Sequence, residues 1–588
     1  MVATPARRGK GVGVAMAVVV VAAGQAAGQV TLTNSTANAG LTALHQADEN
    51  AIPEAQEWMT GGLAAADFNN DGHTDIFWVG GGLTADKLFI NNGSGVFTDK
   101  AVAWGIADLH CGNGVAVGDY NKDGWLDIYL TSFGPPGPAP GAPGAHRLYR
   151  NDSGTGFTNV AEAAGVNYSC PAATNNPAGY GAAFGDYDLD GHLDLFVTSW
   201  WGADDGNRLY KNNGDGTFTD VTAAALGTAV DGVWGFQPAF VDMNGDRYPE
   251  LLIAADFQTS RYLLNNADGT FTDMTVPSGT GLDDNGMGQT VGDFDGDGLF
   301  DWYVTSIYSE TPPPDNPGNM LYWNHDPQPY VECSVNAGVN NGQWGWGTLA
   351  LDLDQDKWLD ILEVNGRPAE PYSNRPGMLF YNLRNPNFPT FTEIAATSGF
   401  DHADEGRSLA YLDADNDGDL DVIVSTNAGS PVFYLNETPD IGNWLRIKLD
   451  TSTNAALAPN GFGTRVIATV GVNSLYRYMS GSPSYLSTSE LSVHFGLGNA
   501  TTVAELRVEW AKGYVTVLTD VAANQHLTIA APELGDVDSD GIVGVSDLLD
   551  LLGGWGSCPT PPAPCLSDLN NDGEIGVPDL LTLLANWG

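Results

Sequence analysis

A chain of 588 residues exceeds one ordinary hydrophobic core, so several domains or one large repeat architecture is expected. Its 72 acidic against 23 basic residues, a net charge of −49, exclude recognition of nucleic-acid phosphates and docking on anionic lipid. At 43% hydrophobic with 16 Trp it is too apolar for a disordered acidic chain, and that much like charge in a compact body calls for divalent counter-ions.

The start reads as an export signal. Arg7, Arg8 and Lys10 precede a short apolar run at residues 11–23, and small residues follow, which sets a signal peptide at 1–28. The run is too short to span a bilayer comfortably, and no other long apolar stretch follows. The mature chain is therefore expected to be secreted or on the cell surface, with no membrane span.

From residue 67 one nine-residue pattern recurs seven times, its first residues 51 to 67 apart, a period that signals a repeat architecture. Positions 1, 3, 5 and 9 carry oxygen side chains. They are Asp67, Asn69, Asp71 and Asp75 in loop 1, and Asp119, Asn121, Asp123 and Asp127 in loop 2. Loop 3 has Asp186, Asp188, Asp190 and Asp194; loop 4 has Asp242, Asn244, Asp246 and Glu250. Loop 5 has Asp293, Asp295, Asp297 and Asp301; loop 6 has Asp352, Asp354, Asp356 and Asp360; loop 7 has Asp413, Asp415, Asp417 and Asp421. Position 7 can add a backbone carbonyl. Oxygen at this density suits Ca²⁺, which takes 6–8 oxygen ligands. A plain acidic turn would explain the glycine at position 6 but not four ligand positions kept in register. Arg247 and Lys357 replace that glycine in loops 4 and 6, which marks these as the weakest or empty sites.

Each loop joins a small or apolar strand (GVAVGDY, GAAFGDY) to an alternating one (LDLFVTS, FDWYVTS), and a hairpin with an Asn/Gly turn follows. Four strands per repeat, repeated seven times, gives a seven-bladed β-propeller over residues 29–440. The outer strand follows only six loops; the seventh copy is expected from residues 30–41, closing the last blade beside residues 432–436. The loops with their strands resemble the FG-GAP/VCBS repeats of integrin-α-type propellers. That resemblance implies a calcium-stiffened propeller used mainly as a binding platform.

Residues 441–531 read as six short strands, a separate small β domain. Residues 461–465, 480–482, 485–487, 494–498, 508–510 and 524–525 resemble the ASPIC/UnbV domain. A propeller followed by this domain is the layout of the cartilage acidic protein family, which implies an architecture more than an activity.

Residues 532–588 change again. Asp536, Asp538, Asp540 and Asp547, then Asp568, Asn570, Asp572 and Asp579, each place an acid at loop position 12 before a Leu-rich helix. That is EF-hand logic, twice, 32 residues apart. Up to nine Ca²⁺ sites result, and 32 of the 72 acids stand at their ligand positions, so the metal would relieve much of the charge. The whole chain is thus expected to be all-β, with a small α-helical paired EF-hand-like domain at its end. The duplicated loop and helix resemble a type I dockerin. Val545-Ser546 and Val577-Pro578 stand where that family usually carries a polar pair, so a cohesin-like partner and a cell-surface receptor both remain open.

Of five cysteines, Cys558 and Cys565 flank a proline-rich hinge and can pair; Cys111 with Cys170 is weaker, leaving Cys333. No nucleophile elbow, HExxH or phosphate loop is found, and no catalytic residue is assigned. His73 and His192 read as turn residues pointing to solvent. Trp125, Trp200, Trp201, Trp344 and Trp346 offer a sugar-stacking platform, though blade packing is the favoured reading. The expected function is a secreted, calcium-dependent platform for an extracellular glycan or protein on the loop face, tethered by its tail. The alternative is an extracellular polysaccharide lyase or hydrolase carried by that tail.

Overall fold

The computed structural model describes residues 30–47, 56–133, 144–167, 179–200, 206–309, 316–325, 329–439, 441–481 and 484–588. The expected signal peptide, Cys170, Trp201 and Ser482 lie outside the described residues. Among the described residues no helix is long and apolar enough to cross a membrane.

Residues 30–436 form successive four-stranded antiparallel sheets, an all-β arrangement consistent with a β-propeller. Sheet 1 runs from Leu63–Ala66 to Phe97–Asp99, sheet 2 from Gly112–Gly118 to Phe157–Asn159, and sheet 3 from Gly179–Gly185 to Phe218–Asp220. Sheet 4 runs from Trp234–Val241 to Phe271–Asp273, sheet 5 from Gln289–Gly292 to Val331–Glu332, and sheet 6 from Gly345–Leu351 to Phe391–Glu393. Sheet 7 combines Gly406–Leu412, Asp421–Thr426 and Val432–Asn436 with the N-terminal strand Leu32–Asn34. That strand pairs Leu32 with Asn436 and Asn34 with Tyr434, the closure expected from the repeat count.

The first two strands of most sheets are buried throughout, because neighbouring sheets cover both faces. Small residues let the first strands crowd together at the centre. A Cβ on Gly114 would meet the Tyr180 carbonyl oxygen at 2.1 Å, and one on Gly181 would meet that of Phe236 at 2.2 Å. Threonines on the second strands tie each sheet to the next: the hydroxyls of Thr198 and Thr305 each donate over 2.6 Å to the carbonyls of Phe236 and Trp346.

The β domain has two sheets. One orders Val493–Gly498, Asn443–Asp450 and Gln525–Ala530; the other orders Asn473–Tyr478, Arg465–Val470, Thr502–Glu509 and Val515–Ala522. Val515–Ala522 is a strand that the six-strand reading lacks. It is an edge strand with a mostly exposed side-chain pattern, so its sequence carries little apolar alternation.

This domain is separate in sequence but not in space. Its segment 484–490 is buried in the centre of the ring of sheets. Ser487 and Thr488 pair in parallel with Leu63 and Ala64 of sheet 1. The Thr488 hydroxyl donates to Val115 O (3.0 Å), the Ser487 hydroxyl to Leu409 O (2.9 Å), and Thr348 N to the Ser484 hydroxyl (2.8 Å). Leu486 N donates to Gln237 Oε1 at 2.8 Å. Tyr485 packs on Phe236 and Trp346, ring centroids 5.6 and 5.1 Å away, and its hydroxyl donates to Met59 O at 2.8 Å. One short segment thus bonds to five of the sheets. Tyr485→Ala should cost about 3–5 kcal/mol, read as a fall in melting temperature of the whole chain in one transition. A separate low-temperature transition confined to the β domain would show that the plug does not unite the two.

Candidate metal centres

The loops are built by their own first carboxylate. Asp67 Oδ2 accepts Gly72 N at 3.0 Å, and Asp119 Oδ2 accepts Gly124 N at 2.9 Å. The residue at position 6 is left-handed, with φ 88° at Gly72 and 86° at Gly124. Arg247 and Lys357 take the same conformation, φ 80° and 91°, and their N–H groups reach Asp242 and Asp352 at 2.8 Å. Loops 4 and 6 therefore keep the bend that the missing glycine put in question, at the cost of a strained residue.

The position-9 acids are all buried, each at the start of its sheet's second strand. In loop 1, Asp75 Oδ2 accepts Phe68 N at 3.1 Å and Oδ1 accepts Asn91 N at 2.8 Å. The N–H groups of Asn151, Asn212, Asn324, Asn382 and Asn436 bond Asp127, Asp194, Asp301, Asp360 and Asp421 in the same way, at 2.7–2.8 Å. These asparagines, unassigned from the sequence, also clip sheet to sheet. Asn151 Nδ2 donates to Phe68 O (2.9 Å), Asn212 to Tyr120 O (2.8 Å), Asn265 to Tyr187 O (2.8 Å) and Asn91 to Ala414 O (2.8 Å). Their signal was present as the Asn ending each third strand (RLYRN, RLYKN, RYLLN).

The structure brings the ligand carboxylates together. Within 4.8 Å of one another lie oxygens of Asp186, Asp188 and Asp194, of Asp293, Asp295 and Asp297, of Asp352, Asp354 and Asp356, and of Asp413, Asp415 and Asp417. Among the described residues, every buried carboxylate oxygen without a hydrogen bond belongs to these loops, except that of Glu363. They are on Asp127, Asp186, Asp295, Asp354, Asp360, Asp413 and Asp415. Oxygens aimed at one point without donors fit a hard cation. Burial, then neighbouring charge, pushes Asp293 up to about 7. Burial pushes Asp75 up to about 8 and Asp127 up to about 9, with lesser contributions from nearby carboxylates.

Loops 3, 6 and 7 also meet protein cations. Lys211 Nζ contacts Asp188 and lies 2.8 Å from Asp190, Arg384 contacts Asp356 and lies 3.4 Å from Asp354, and Arg446 lies 3.3 Å from Asp413. The two loop histidines are half-buried and do not simply point to solvent. His73 Nδ1 lies 2.8 Å from Asn416 Nδ2 in loop 7, and His192 packs on Gly214.

In the tail, Asp547 accepts Val537 N and Gly544 N at 2.7 Å, and Asp579 accepts Leu569 N and Gly576 N at 2.8 Å. Each acid caps the helix it begins, Val545–Gly553 or Val577–Ala585. Asp540 N and Gly541 N close on Asp536, and Asp572 N and Gly573 N on Asp568. Cys558 and Cys565 form a disulfide, S–S 2.05 Å; Cys111 and Cys333 are buried.

The loop face is not a free platform. Thr74 donates to Glu490 (2.9 Å), Lys122 Nζ to Ala455 O (2.6 Å), Asn571 to Asp190 O (3.3 Å) and Gly498 N to Gln355 O (2.7 Å). His494 Nε2 lies 3.0 Å from Gly418 O, and Tyr476 packs on Gly298. The β domain and tail thus cover much of this face and leave a cleft beside loops 1 and 2. The tryptophans divide: Trp346 is core, while Trp200 and Trp344 lie half-buried at the opposite end of the sheets.

Residues 67–130, 186–253 and 242–304 match the FG-GAP-like repeat, and residues 454–535 match the family described as ASPIC and UnbV. The chain is similar to cartilage acidic protein 1 of Xenopus tropicalis, 24% identical over 510 residues, 81% of this chain and 65% of that protein. The Homo sapiens protein is 24% identical over 82% of this chain and 64% of its own length, and the Mus musculus protein 24% over 77% and 61%. The match therefore spans less than two thirds of each relative. Among solved structures, rhamnogalacturonan lyase YesW aligns with TM-score 0.35 and 13% identity over 69% of this chain and 75% of that one, which says nothing about activity here.

Two outcomes follow from the loop geometry. Lys211→Met removes a cation from loop 3 and should tighten calcium there about tenfold, seen by calorimetric titration. The raised carboxylates bind protons more tightly folded than unfolded, so their stabilisation is full below the unfolded value near 4 and is lost as pH rises through about 7 to 9. Chelated protein should melt higher at about pH 5 than at about pH 8.5, and calcium should remove the difference; an unchanged order in calcium would count against metal in these loops.

Proposed function

We propose that this chain is an exported seven-bladed β-propeller, stiffened by calcium in its acidic loops, that recognises an extracellular partner without catalysis. The observation that carries the reading is the set of buried carboxylate oxygens with no donor, collected in the repeating loops. Calcium bound by these aspartates would supply charge neutralisation and cross-link each turn to its second strand. The plug fills the ring's centre, so the assembly is a rigid scaffold with much of its loop face occupied. The similarity to cartilage acidic protein 1 supports an extracellular setting for the same architecture. The tail, with its two acid-capped helices, serves as a dockerin-like tether to a surface or complex.

The face opposite the loops is the platform. Trp200, Trp234 and Phe257 meet there with ring centroids 5.1–6.1 Å apart. Phe257 is 52% exposed on a turn whose two central residues, Phe257 and Gln258, hold φ 56° and 61°. A bulky side chain presented by a left-handed turn is held there against its own preference. Nearby, Arg367 lies 4.7 Å from the Trp344 ring and 5.3 Å from that of Trp58. Aromatic faces with adjacent polar groups suit a glycan or a protein hot spot.

The test incubates the chain from residue 29 onward with soluble and insoluble polysaccharides, in calcium and in chelator, and reads bound protein and newly released sugar ends. Calcium-dependent binding without release, weakened by Phe257→Ala, is expected. Release of ends would make the protein an enzyme and sink the recognition reading. The same samples should melt markedly lower in chelator.

A further inference from the structure

The β domain lies close on loops 3–7, but beside loops 1 and 2 a cleft of about 1070 Å³ opens between the ring and the domain. That volume is at the upper end of small-ligand sites and accommodates several sugar rings. The domain's wall is made by two parallel strands in which His526 stands beside Arg446 and Thr528 beside Lys448. Arg446 and Lys448 share one face of their strand by its period of two.

Arg446 is already engaged, 2.5 Å from Glu490 and 3.3 Å from Asp413. Lys448 is not: it is exposed and makes no hydrogen bond or ion pair among the described residues, although its charge reaches Asp67. His526 is 43% exposed but engaged, its Nε2 3.8 Å from Asp413 and its ring backed by Trp444 at 4.9 Å. An exposed lysine with no hydrogen-bonded partner, facing an open cleft, is available to a ligand. Asn460 adds a buried Oδ1 without a partner, on a residue held at φ 56°. Across the cleft stand Asp67, Asp119 and Asp123 of loops 1 and 2.

We propose that this cleft binds a carboxylate-bearing oligosaccharide, Lys448 meeting the acid and Thr528 and Asn460 meeting hydroxyls. The proposal rests on the calcium reading of loops 1 and 2. Without metal, five carboxylates line the cleft, Asp67, Asp119, Asp123, Asp450 and Glu490, of which Glu490 is paired with Arg446, and they repel an acid; calcium in loops 1 and 2 relieves most of that charge and leaves Lys448 to meet the ligand. Recognition at this cleft is therefore calcium-gated, and independent of the aromatic face.

The test uses the whole chain, a glucuronate-containing tetrasaccharide and its carboxyl-reduced counterpart, titrated in calcium and in chelator, with calcium uptake counted in the same samples. Binding in calcium, at least about tenfold weaker for Lys448→Glu, for the reduced sugar and in chelator, is expected; Lys448 is exposed, so the variant should melt as the parent does. Calcium uptake with no sugar binding, or with binding that Lys448→Glu leaves unchanged, overturns the cleft assignment and leaves the calcium reading standing. Sugar binding indifferent to chelator overturns the gate. A polyglutamate that binds as tightly as the sugar overturns the saccharide assignment, and a chain that takes up no calcium overturns the calcium reading and the proposal together.

Discussion

Everything in the ring hangs on one buried acid per repeat. In loops 1, 3, 5 and 7 the position-9 carboxylate, Asp75, Asp194, Asp301 or Asp421, accepts the N–H of the residue after the loop's first aspartate and, on its other oxygen, the N–H of the asparagine at the end of the third strand. Charge-assisted bonds to two backbone groups hold three strands in one register. The asparagine side chain then reaches the neighbouring sheet's loop, so register within a sheet and spacing between sheets are set by the same pair of residues. Burying a carboxylate in this way is costly unless its charge is compensated. On the calcium reading proposed above, the remaining loop positions supply more oxygen because a divalent ion would compensate that charge.

The same economy governs the β domain. It brings cations to the acidic face, as Arg446 does at Asp413, and Lys122 answers from the ring by bonding the domain's Ala455. Polar contacts of this kind align the two bodies, while the plug, led by the buried Tyr485 and Leu486, supplies the apolar contact that holds them.

Much of this was legible in the sequence, and the parts that were not share a cause. Period, the strand order and the closing strand at residues 30–41 all follow from spacing, because a repeat states its own register many times. The disulfide between Cys558 and Cys565 followed from proximity in the chain. The asparagine clips were written in each repeat but looked like turn residues, since their second bond crosses to another sheet. The plug was invisible: residues 484–490 have no periodicity, and only the diameter of a channel formed by distant strands gives them a place. Lys211 and Arg384 escaped for the same reason, lying about twenty residues or more from the aspartates they touch. Val515–Ala522 was missed because an edge strand that buries little has no apolar pattern to show.

The closing strand also sets an order of events. Thr33 bonds Glu437 across 404 positions, and the plug reaches Met59 from 426 positions away. At synthesis rates of roughly 5–20 residues per second, the first strand waits about 20 to 80 seconds for its partner. Long-range pairings of this kind fold slowly, and an unpaired inner strand is a template for the wrong neighbour until they form. The ring can neither shut nor be filled until nearly the whole chain is present. The plug, residues 484–490, follows the closing strand in the chain, so the centre is filled only after the residues that close the ring have been made.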